Sequence, residues 1–323
     1  MCTSLTLTAD NFYFGRNMDI DYNFGEKIII TPRNFPFKFR KAGELNSHYA
    51  IIGMSSEADG YPLYADGANE KGLCMAGLNF PGYAKYSDRD APDKKNIAPF
   101  ELIPWILGQC ADVDEAEKLL LSSNIVDMPF SDKIPAATLH WHIADKNRSI
   151  VLENTASGMH IYENPVGVMT NNPTFDFHLT NLGQYLNLTP DDKQNRFAED
   201  AGVKPFGKGL GSYGLPGDSS PCSRFVRTAF LKLYSKCRPE DGVAQFFHIL
   251  DAAAVVNGSI VPESGRDYMT TYTACMDAEN GIYYYKTYAG CRIYAANMYH
   301  EDLDGSELIR IPQPEKPVFD PLN

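Results

Sequence analysis

The second residue carries the most reactive pairing of groups in the chain. Cysteine is small enough to permit removal of Met1, and Cys2 would then hold a thiol and a free α-amine on one residue. A thiol of pKa about 8.5 is only a few per cent thiolate at neutral pH, so a cysteine nucleophile needs activation. An α-amine of pKa about 7.8 is partly neutral already and can act as the base. One residue then supplies both nucleophile and base, the arrangement known for N-terminal threonine, and the chemistry it suits is acyl transfer. Met-Cys alone does not establish this, since many chains begin so and a strand cysteine is commonly a small buried hydrophobe.

The segment that follows shifts the balance. Residues 2–8 and 11–17 read as a β-hairpin with a short turn near Ala9-Asp10, and the return strand runs out through Phe14-Gly15-Arg16-Asn17-Met18-Asp19. It brings Arg16 and Asp19 back towards Cys2, where Arg16 can stabilise a thiolate and Asp19 can orient the amine. Register stays open: a two-residue turn gives the cleaner apolar face but puts Arg16 on the face opposite Cys2. The plainer alternative is an exposed arginine and a turn aspartate. Two asparagines, Asn79 before Phe80-Pro81 and Asn171 before Asn172-Pro173, end strand-like runs. An amide there can donate to a developing oxyanion, although asparagine is also an ordinary turn residue. Arg224 falls in the first turn of a helix, where a cation opposes the macrodipole and so points to a purpose beyond helix stability.

Two other patterns are set aside. Gly209-x-Gly211-x-x-Gly214 matches a dinucleotide fingerprint, but no strand precedes it and Leu215-Pro216-Gly217 stands where a helix should begin. His140 and His142 share one face of a strand, yet no further ligand cluster accompanies them, so satisfied strand histidines are the better reading. The formal net charge of −12 argues against nucleic-acid or anionic-membrane partners. The seven cysteines stand singly, which fits neither a zinc site nor a disulfide framework. There is no basic, apolar leader at the start and no apolar run of roughly 20 residues, so a soluble cytoplasmic protein is expected.

The elements that must position these residues are strands near both ends and helices between. Further strands are expected at Lys27–Thr31, Tyr49–Met54, Pro62–Ala68 and Gly72–Leu78, then at Thr138–Ala144, Ser149–Asn154, Met159–Tyr162 and Gly167–Thr170. A helix is expected over about 98–111, and another opens at Asp112, where Asp112 and Glu115 form a capping-box pattern. Asn187 to Ser220 is a long Gly- and Pro-rich connection. Ser220-Pro221 then gives an N-cap and a first-position proline for a helix to about Lys236, followed by one over roughly 240–255. Met269–Met276, Gly281–Thr287 and Arg292–Ala296 close the chain as strands. The pattern predicts an α+β fold, antiparallel sheets covered by helices, in a single domain over residues 1–323.

With these residues in place, the sequence resembles the choloylglycine hydrolase family, which includes bile salt hydrolases and penicillin V acylases. The matching stretches are Met1-Cys2-Thr3, Phe14 to Asp19, Ile30-Thr31-Pro32-Arg33-Asn34-Phe35 and Asn69-Glu70-Lys71-Gly72-Leu73. They continue with Ala76-Gly77-Leu78-Asn79-Phe80-Pro81, Thr138-Leu139-His140-Trp141, Met169-Thr170-Asn171, and Gly214-Leu215-Pro216-Gly217-Asp218 running on to Ser223-Arg224-Phe225. The resemblance implies the four-layer αββα N-terminal-nucleophile hydrolase fold, two stacked antiparallel sheets between helical layers. It implies catalytic roles for Cys2, Arg16, Asp19, Asn79, Asn171 and Arg224, and neither metal nor organic cofactor. Asparagine at position 79 is typical of the bile salt branch, whereas penicillin V acylases often carry tyrosine.

The expected function is therefore hydrolysis of the amide bond in glycine- or taurine-conjugated bile acids, through a Cys2 thioester. The steroid is expected in an apolar pocket with Met18, Ile134 and Leu139, where Ala58 and Ala137 are small compared with relatives. A penicillin V acylase or another N-acyl amidase is the alternative with the same chemistry, and a non-catalytic steroid-binding protein the alternative from another class. A homotetramer is expected, assembled through the 187–220 connection, whose Leu188, Phe197, Val203, Phe206 and Leu210 a neighbouring subunit can bury.

Overall fold

The first hairpin sets the register on which the site depends. In the computed structural model, which describes residues 1–192, 194–313 and 321–322, β1 (Cys2–Thr8) pairs with β2 (Phe12–Ile20) across a three-residue loop, Ala9-Asp10-Asn11. Cys2 stands opposite Met18 and Ser4 opposite Arg16. Directly opposed residues and alternate residues of one strand share a face. Three loop residues instead of two therefore put Arg16 on the same face as Cys2.

Chain order then runs β3 (Lys27–Thr31), β4 (Phe37–Phe39), β5 (Gly43–Leu45), β6 (Ile51–Ala58), β7 (Tyr61–Tyr64), β8 (Asp66–Asn69) and β9 (Cys74–Asn79). After β10 (Lys95–Ile97) come α1 (Leu102–Leu107), α2 (Val113–Leu121) and β11 (Ser123–Ile125). Next are β12 (Leu139–Ala144), β13 (Ser149–Thr155), β14 (Gly158–Glu163), β15 (Val168–Met169) and α3 (Phe175–Asn181). The last elements are α4 (Pro221–Leu233), α5 (Gly242–Asp251), β16 (Met269–Asp277), β17 (Ile282–Thr287), β18 (Tyr294–Asn297) and β19 (Ile309–Ile311).

Two antiparallel sheets carry the fold. One has six strands in the order β15-β1-β2-β16-β17-β18; the other has nine, β14-β13-β12-β9-β8-β6-β3-β19, with β7 paired to β6. Their facing sides meet: Phe14 packs on His142 with ring centroids 5.0 Å apart, and Tyr272 and Tyr283 reach across to Asp66. α4 and α5 cover the other side of the six-stranded sheet, where Asn17 Nδ2 donates to the Leu250 carbonyl at 2.8 Å. α1 and α2 cover the nine-stranded sheet through a second buried cluster that includes Met75, Leu107, Leu120, Trp141 and Ile143. Two sheets between helical layers is the αββα arrangement expected.

Three local readings are corrected. Pro62–Ala68 is not one strand, because the register against β6 moves by one residue between Tyr64 and Ala68. The extra residue is a bulge that turns the Asp66 carboxylate inward. It brings the Asp66 carbonyl so close to Gly53 that a Cβ there would lie 2.1 Å away, so only glycine fits. The expected helix over 98–111 is a short 3₁₀ turn and one α-helix of six residues ending at Leu107. In α2, Asp112 caps the Glu115 N–H at 2.9 Å, but the Glu115 carboxylate reaches one residue further back, to the Ala111 N–H at 2.8 Å. α3 was not anticipated: its seven residues, FDFHLTN, are too few to show helical period. The 187–220 connection has 3₁₀ turns only, and Phe197 and Phe206 are 100% and 94% exposed, whereas Leu188 is buried in its own chain.

Candidate active site

Cys2 is 2% exposed at the start of β1, and each of its polar atoms meets a different partner. Its sulfur takes a short hydrogen bond from an Arg16 terminal nitrogen. Its backbone nitrogen donates to Asn171 Oδ1 at 2.8 Å, and its carbonyl accepts from Arg224 at 2.5 Å. Arg16 is fully buried and donates also to the Gly77 carbonyl at 2.6 Å. Burial alone would lower its pKa, but the charges of Cys2, Tyr272, Asp66 and Asp19 outweigh this and raise it. A permanent cation thus rests against the sulfur.

Arg224 is where the sequence placed it, in the first turns of α4 after the Ser220 cap. Fully buried, it donates to Thr3 Oγ1 (2.6 Å), Asn171 Oδ1 (2.8 Å) and the Ser219 carbonyl (2.9 Å) as well as to Cys2. Burial pulls its pKa down, and Asp19 and Cys2 oppose that. Asp19 lies on the face of β2 opposite Arg16. One of its oxygens accepts from Thr270 Oγ1 at 2.6 Å; the other has no hydrogen-bond partner and lies 4.0 Å from Arg224.

Asn171 joins the two sheets. Its Nδ2 donates to the Asn79 carbonyl at 2.7 Å, while Oδ1 serves Cys2 and Arg224. Phe80 N–H is spent on the Thr138 carbonyl at 2.8 Å, so strand alternation turns both the N–H and C=O of Asn79 the other way, towards Asn171. The structure therefore brings together all six residues expected to be catalytic. Of the pocket candidates, Met18 is paired with Cys2, and Leu139 is paired with Asn79 and packs on the α1–α2 cluster. Ala58 ends β6, and Ile134 and Ala137 lie on the segment leading into β12; all three are outside both buried clusters. Two surface clefts, of about 340 and 650 Å³, are lined by other residues, among them Asp145 and Lys146 in one and Arg33 and His48 in the other. Among the described residues no His, Cys, Asp and Glu cluster could hold a metal, and no helix is long and apolar enough to cross a membrane.

Several contributors escaped the sequence reading. His178 of α3 stacks on Phe225 at 4.8 Å and donates its Nε2–H to the Asn171 carbonyl at 2.8 Å, since a carbonyl can only accept. Thr270 and Tyr268 hold Asp19 from 250 residues away in sequence, a pairing that no local pattern announces. His140 and His142 are satisfied, as expected: His140 by Glu153 and the Thr170 carbonyl, His142 by Ser4 and Ser149.

These buried imidazoles give a pH prediction. Burial lowers the pKa of His140, of His142 to about 3 and of His178 to about 4. The unfolded chain takes up these protons near pH 6.5 and the native state does not, so stability is complete above pH 6.5 and lost as pH falls towards 4. His142 and His178 each withdraw on the order of 3 kcal/mol over that window. The melting temperature followed by circular dichroism should fall steadily from pH 6.5 to 4.5; a flat profile there contradicts the assignment.

Comparison with known proteins agrees with this geometry. Residues 2–311 match the family model for linear amide C–N hydrolases, choloylglycine hydrolase family. The chain is 48% identical to a bile salt hydrolase/transferase of Lactiplantibacillus plantarum, over 97% of each chain. Its structure superposes on the C2A mutant of the conjugated bile acid hydrolase from Clostridium perfringens with a TM-score of 0.95, 41% identity and complete coverage of both chains. A penicillin V acylase from Agrobacterium tumefaciens shares the fold at a TM-score of 0.75 and 21% identity, over 96% of this chain and 90% of that one. With its Cys2, its two buried arginines and its paired sheets, the chain belongs to the choloylglycine hydrolase family of linear amide C–N hydrolases.

Proposed function

We propose that the protein hydrolyses the amide bond of bile acids conjugated to glycine or taurine, after loss of Met1 frees the Cys2 amine. The observation that carries this reading is the separate grip on the sulfur and nitrogen of Cys2, by Arg16 and by Asn171. Processing has its own support. A buried carboxylate oxygen without a donor is costly, and the unpartnered oxygen of Asp19 lies beside the Arg224 group that also holds Cys2. A new α-ammonium supplies the missing donor.

In this reading the Cys2 amine takes the thiol proton as the sulfur attacks the substrate carbonyl. The oxyanion is met by Asn171 Nδ2 and the Asn79 N–H, donors on the residue that holds the Cys2 nitrogen and on that residue's own partner. Collapse breaks the C–N bond, the protonated Cys2 amine delivers its proton to the leaving nitrogen, and water then hydrolyses the thioester. Asp19 orients the amine; Arg16 and Arg224 supply the positive field. Met18, Ala58, Ile134, Ala137 and Leu139 form the acyl pocket. The seven unpaired cysteines suit a reducing cytoplasm.

Two relatives named bile salt hydrolase/transferase are 48% and 45% identical and one named penicillin V acylase is 25% identical, which favours the bile acid substrate. Purified enzyme should show a larger kcat/KM for glycine- or taurine-conjugated bile salts than for penicillin V. The reverse order transfers the chain to the acylase reading. A non-catalytic steroid-binding role predicts turnover of neither.

A homotetramer built through 187–220 completes the proposal. Leu186, Phe197, Val203, Phe206 and Tyr213 are all more than 60% exposed in one chain, an apolar display suited to a subunit contact. Light scattering coupled to size exclusion should give four times 36.0 kDa, and a one-chain mass at micromolar concentration contradicts it.

A further inference from the structure

We propose that two buried histidines, His140 and His178, are positioning residues for Asn171: each holds one of the two backbone carbonyls that flank the Asn171 α-carbon, and together they aim its amide. The inference rests on the amide-hydrolase reading above, in which that amide meets the oxyanion, and adds to it what holds the amide still.

β15 pairs with β1 only at Val168 and Met169, so Thr170 and Asn171 lie past the end of the ladder. The Cys2 N–H meets the Asn171 side chain at 2.8 Å, not its backbone. Something other than the sheet must therefore hold the backbone that carries this side chain. His140 of β12 meets the Thr170 carbonyl through Nε2 at 3.0 Å, and His178 of α3 meets the Asn171 carbonyl through Nε2 at 2.8 Å. Both histidines are 1% exposed, and burial keeps both below the ordinary imidazole pKa. A carbonyl can only accept, so each Nε2 carries a proton.

The position of these two carbonyls gives the contacts their purpose. A peptide unit is planar, and a residue has only two soft backbone torsions. The Thr170 carbonyl belongs to the peptide unit before the Asn171 α-carbon, and the Asn171 carbonyl to the unit after it. Holding both fixes φ and ψ of Asn171, and with them the direction in which its side chain leaves the backbone. That side chain then serves Cys2 and Arg224 through Oδ1 and the Asn79 carbonyl through Nδ2, which keeps the second Nδ2 proton for the oxyanion.

The two clamps are themselves anchored and joined. His140 stacks on Phe80, the residue after Asn79, with ring centroids 4.1 Å apart. Its Nδ1 stands 3.0 Å from Glu153 Oε1, which also accepts from the Phe175 N–H at the start of α3, at 3.1 Å. One proton between Nδ1 and Oε1 closes that contact, and the Nε2–H stays on Thr170 whichever atom holds it. From the same helix, His178 stacks on Phe225, the neighbour of Arg224 in α4. Buried groups thus connect both sides of the oxyanion site, Asn79 through Phe80 and Asn171 through its own two carbonyls.

Substitutions at both histidines test the assignment. His178→Phe removes the donor and keeps a ring, whereas His178→Gln keeps an N–H that can reach the same carbonyl. At His140 the change to Phe is combined with Glu153→Gln, so that no buried carboxylate loses its partner. In processed protein acting on a conjugated bile salt, His178→Phe and the paired His140→Phe, Glu153→Gln should each lower kcat about tenfold with KM little changed, the scale of one hydrogen bond. His178→Gln should recover most of the loss. In an Asn171→Ala background the same substitutions should cost nothing further, since the group they position is gone. Losses that multiply with that of Asn171→Ala, or that appear in KM alone, overturn the proposal. Crystal structures supply a readout that needs no turnover: in His178→Phe the Asn171 amide should leave the Asn79 carbonyl, and its retention at the 2.7 Å of the wild-type chain also overturns the proposal. If processed wild-type protein turns over no amide, the function reading has failed instead, and the crystal structures alone decide the positioning.

Discussion

Cys2→Ala is expected to abolish amide hydrolysis, by on the order of 10⁴-fold or more, while leaving the fold in place. The side chain removed is a single buried sulfur, and Arg16 keeps its hydrogen bond to the Gly77 carbonyl, so unfolding should shift little. Cys2→Ser should also lose on the order of 10³-fold, because an alcohol gives up its proton far less readily than a thiol. The three deeply buried cysteines outside the site offer no substitute. Burial raises the thiols of Cys74 and Cys275 well above their usual range and that of Cys110 to about 12. Substantial turnover by Cys2→Ala in a bile salt assay would remove Cys2 from the mechanism.

Arg224→Lys should be the most damaging substitution that keeps a charge. The guanidinium fork reaches four acceptors on three separate segments: Cys2 and Thr3 in β1, Asn171 after β15, and Ser219 before α4. An ammonium on a flexible stem cannot satisfy that spread, and it leaves Asp19 more poorly compensated. A buried charged network with one partner removed loses about 3–5 kcal/mol. Urea denaturation should report a loss of that order. kcat should drop on the order of 10²-fold even where the protein is still folded, because Asn171 loses its anchor. Unchanged denaturation and kcat would show that the fork is dispensable.

How much of this could be read from residues alone depended on how local each signal was. The N-cap of α4 at Ser220-Pro221 and the strand Lys27–Thr31 lie in contiguous residues, and both are found where the sequence puts them. The hairpin was visible, but its register was not: one loop residue decides which face Arg16 takes, and Ala9-Asp10-Asn11 carries no glycine to mark a turn type. Asn79 and Asn171 looked like ordinary turn residues singly. Only the fold brings β9 and the end of β15 within a hydrogen bond of each other. Asp66 was missed because a bulge, not alternation, aims it inward. Tyr268, Thr270 and His178 act through partners far away in sequence, and the family resemblance did not extend to them. The exposed aromatics of the 187–220 connection were legible as apolar residues in a loop, but sequence could not say which of them the chain buries for itself.

Joint action of the Cys2 amine and thiol is tested by intact-protein mass spectrometry. The active protein should be lighter than the full sequence by one methionine. Acid quenching during turnover of a conjugated bile salt should add the mass of one bile acyl group, found on the N-terminal peptide and removed by hydroxylamine. A fully active protein that retains Met1, or an acyl group on any residue other than Cys2, would contradict it.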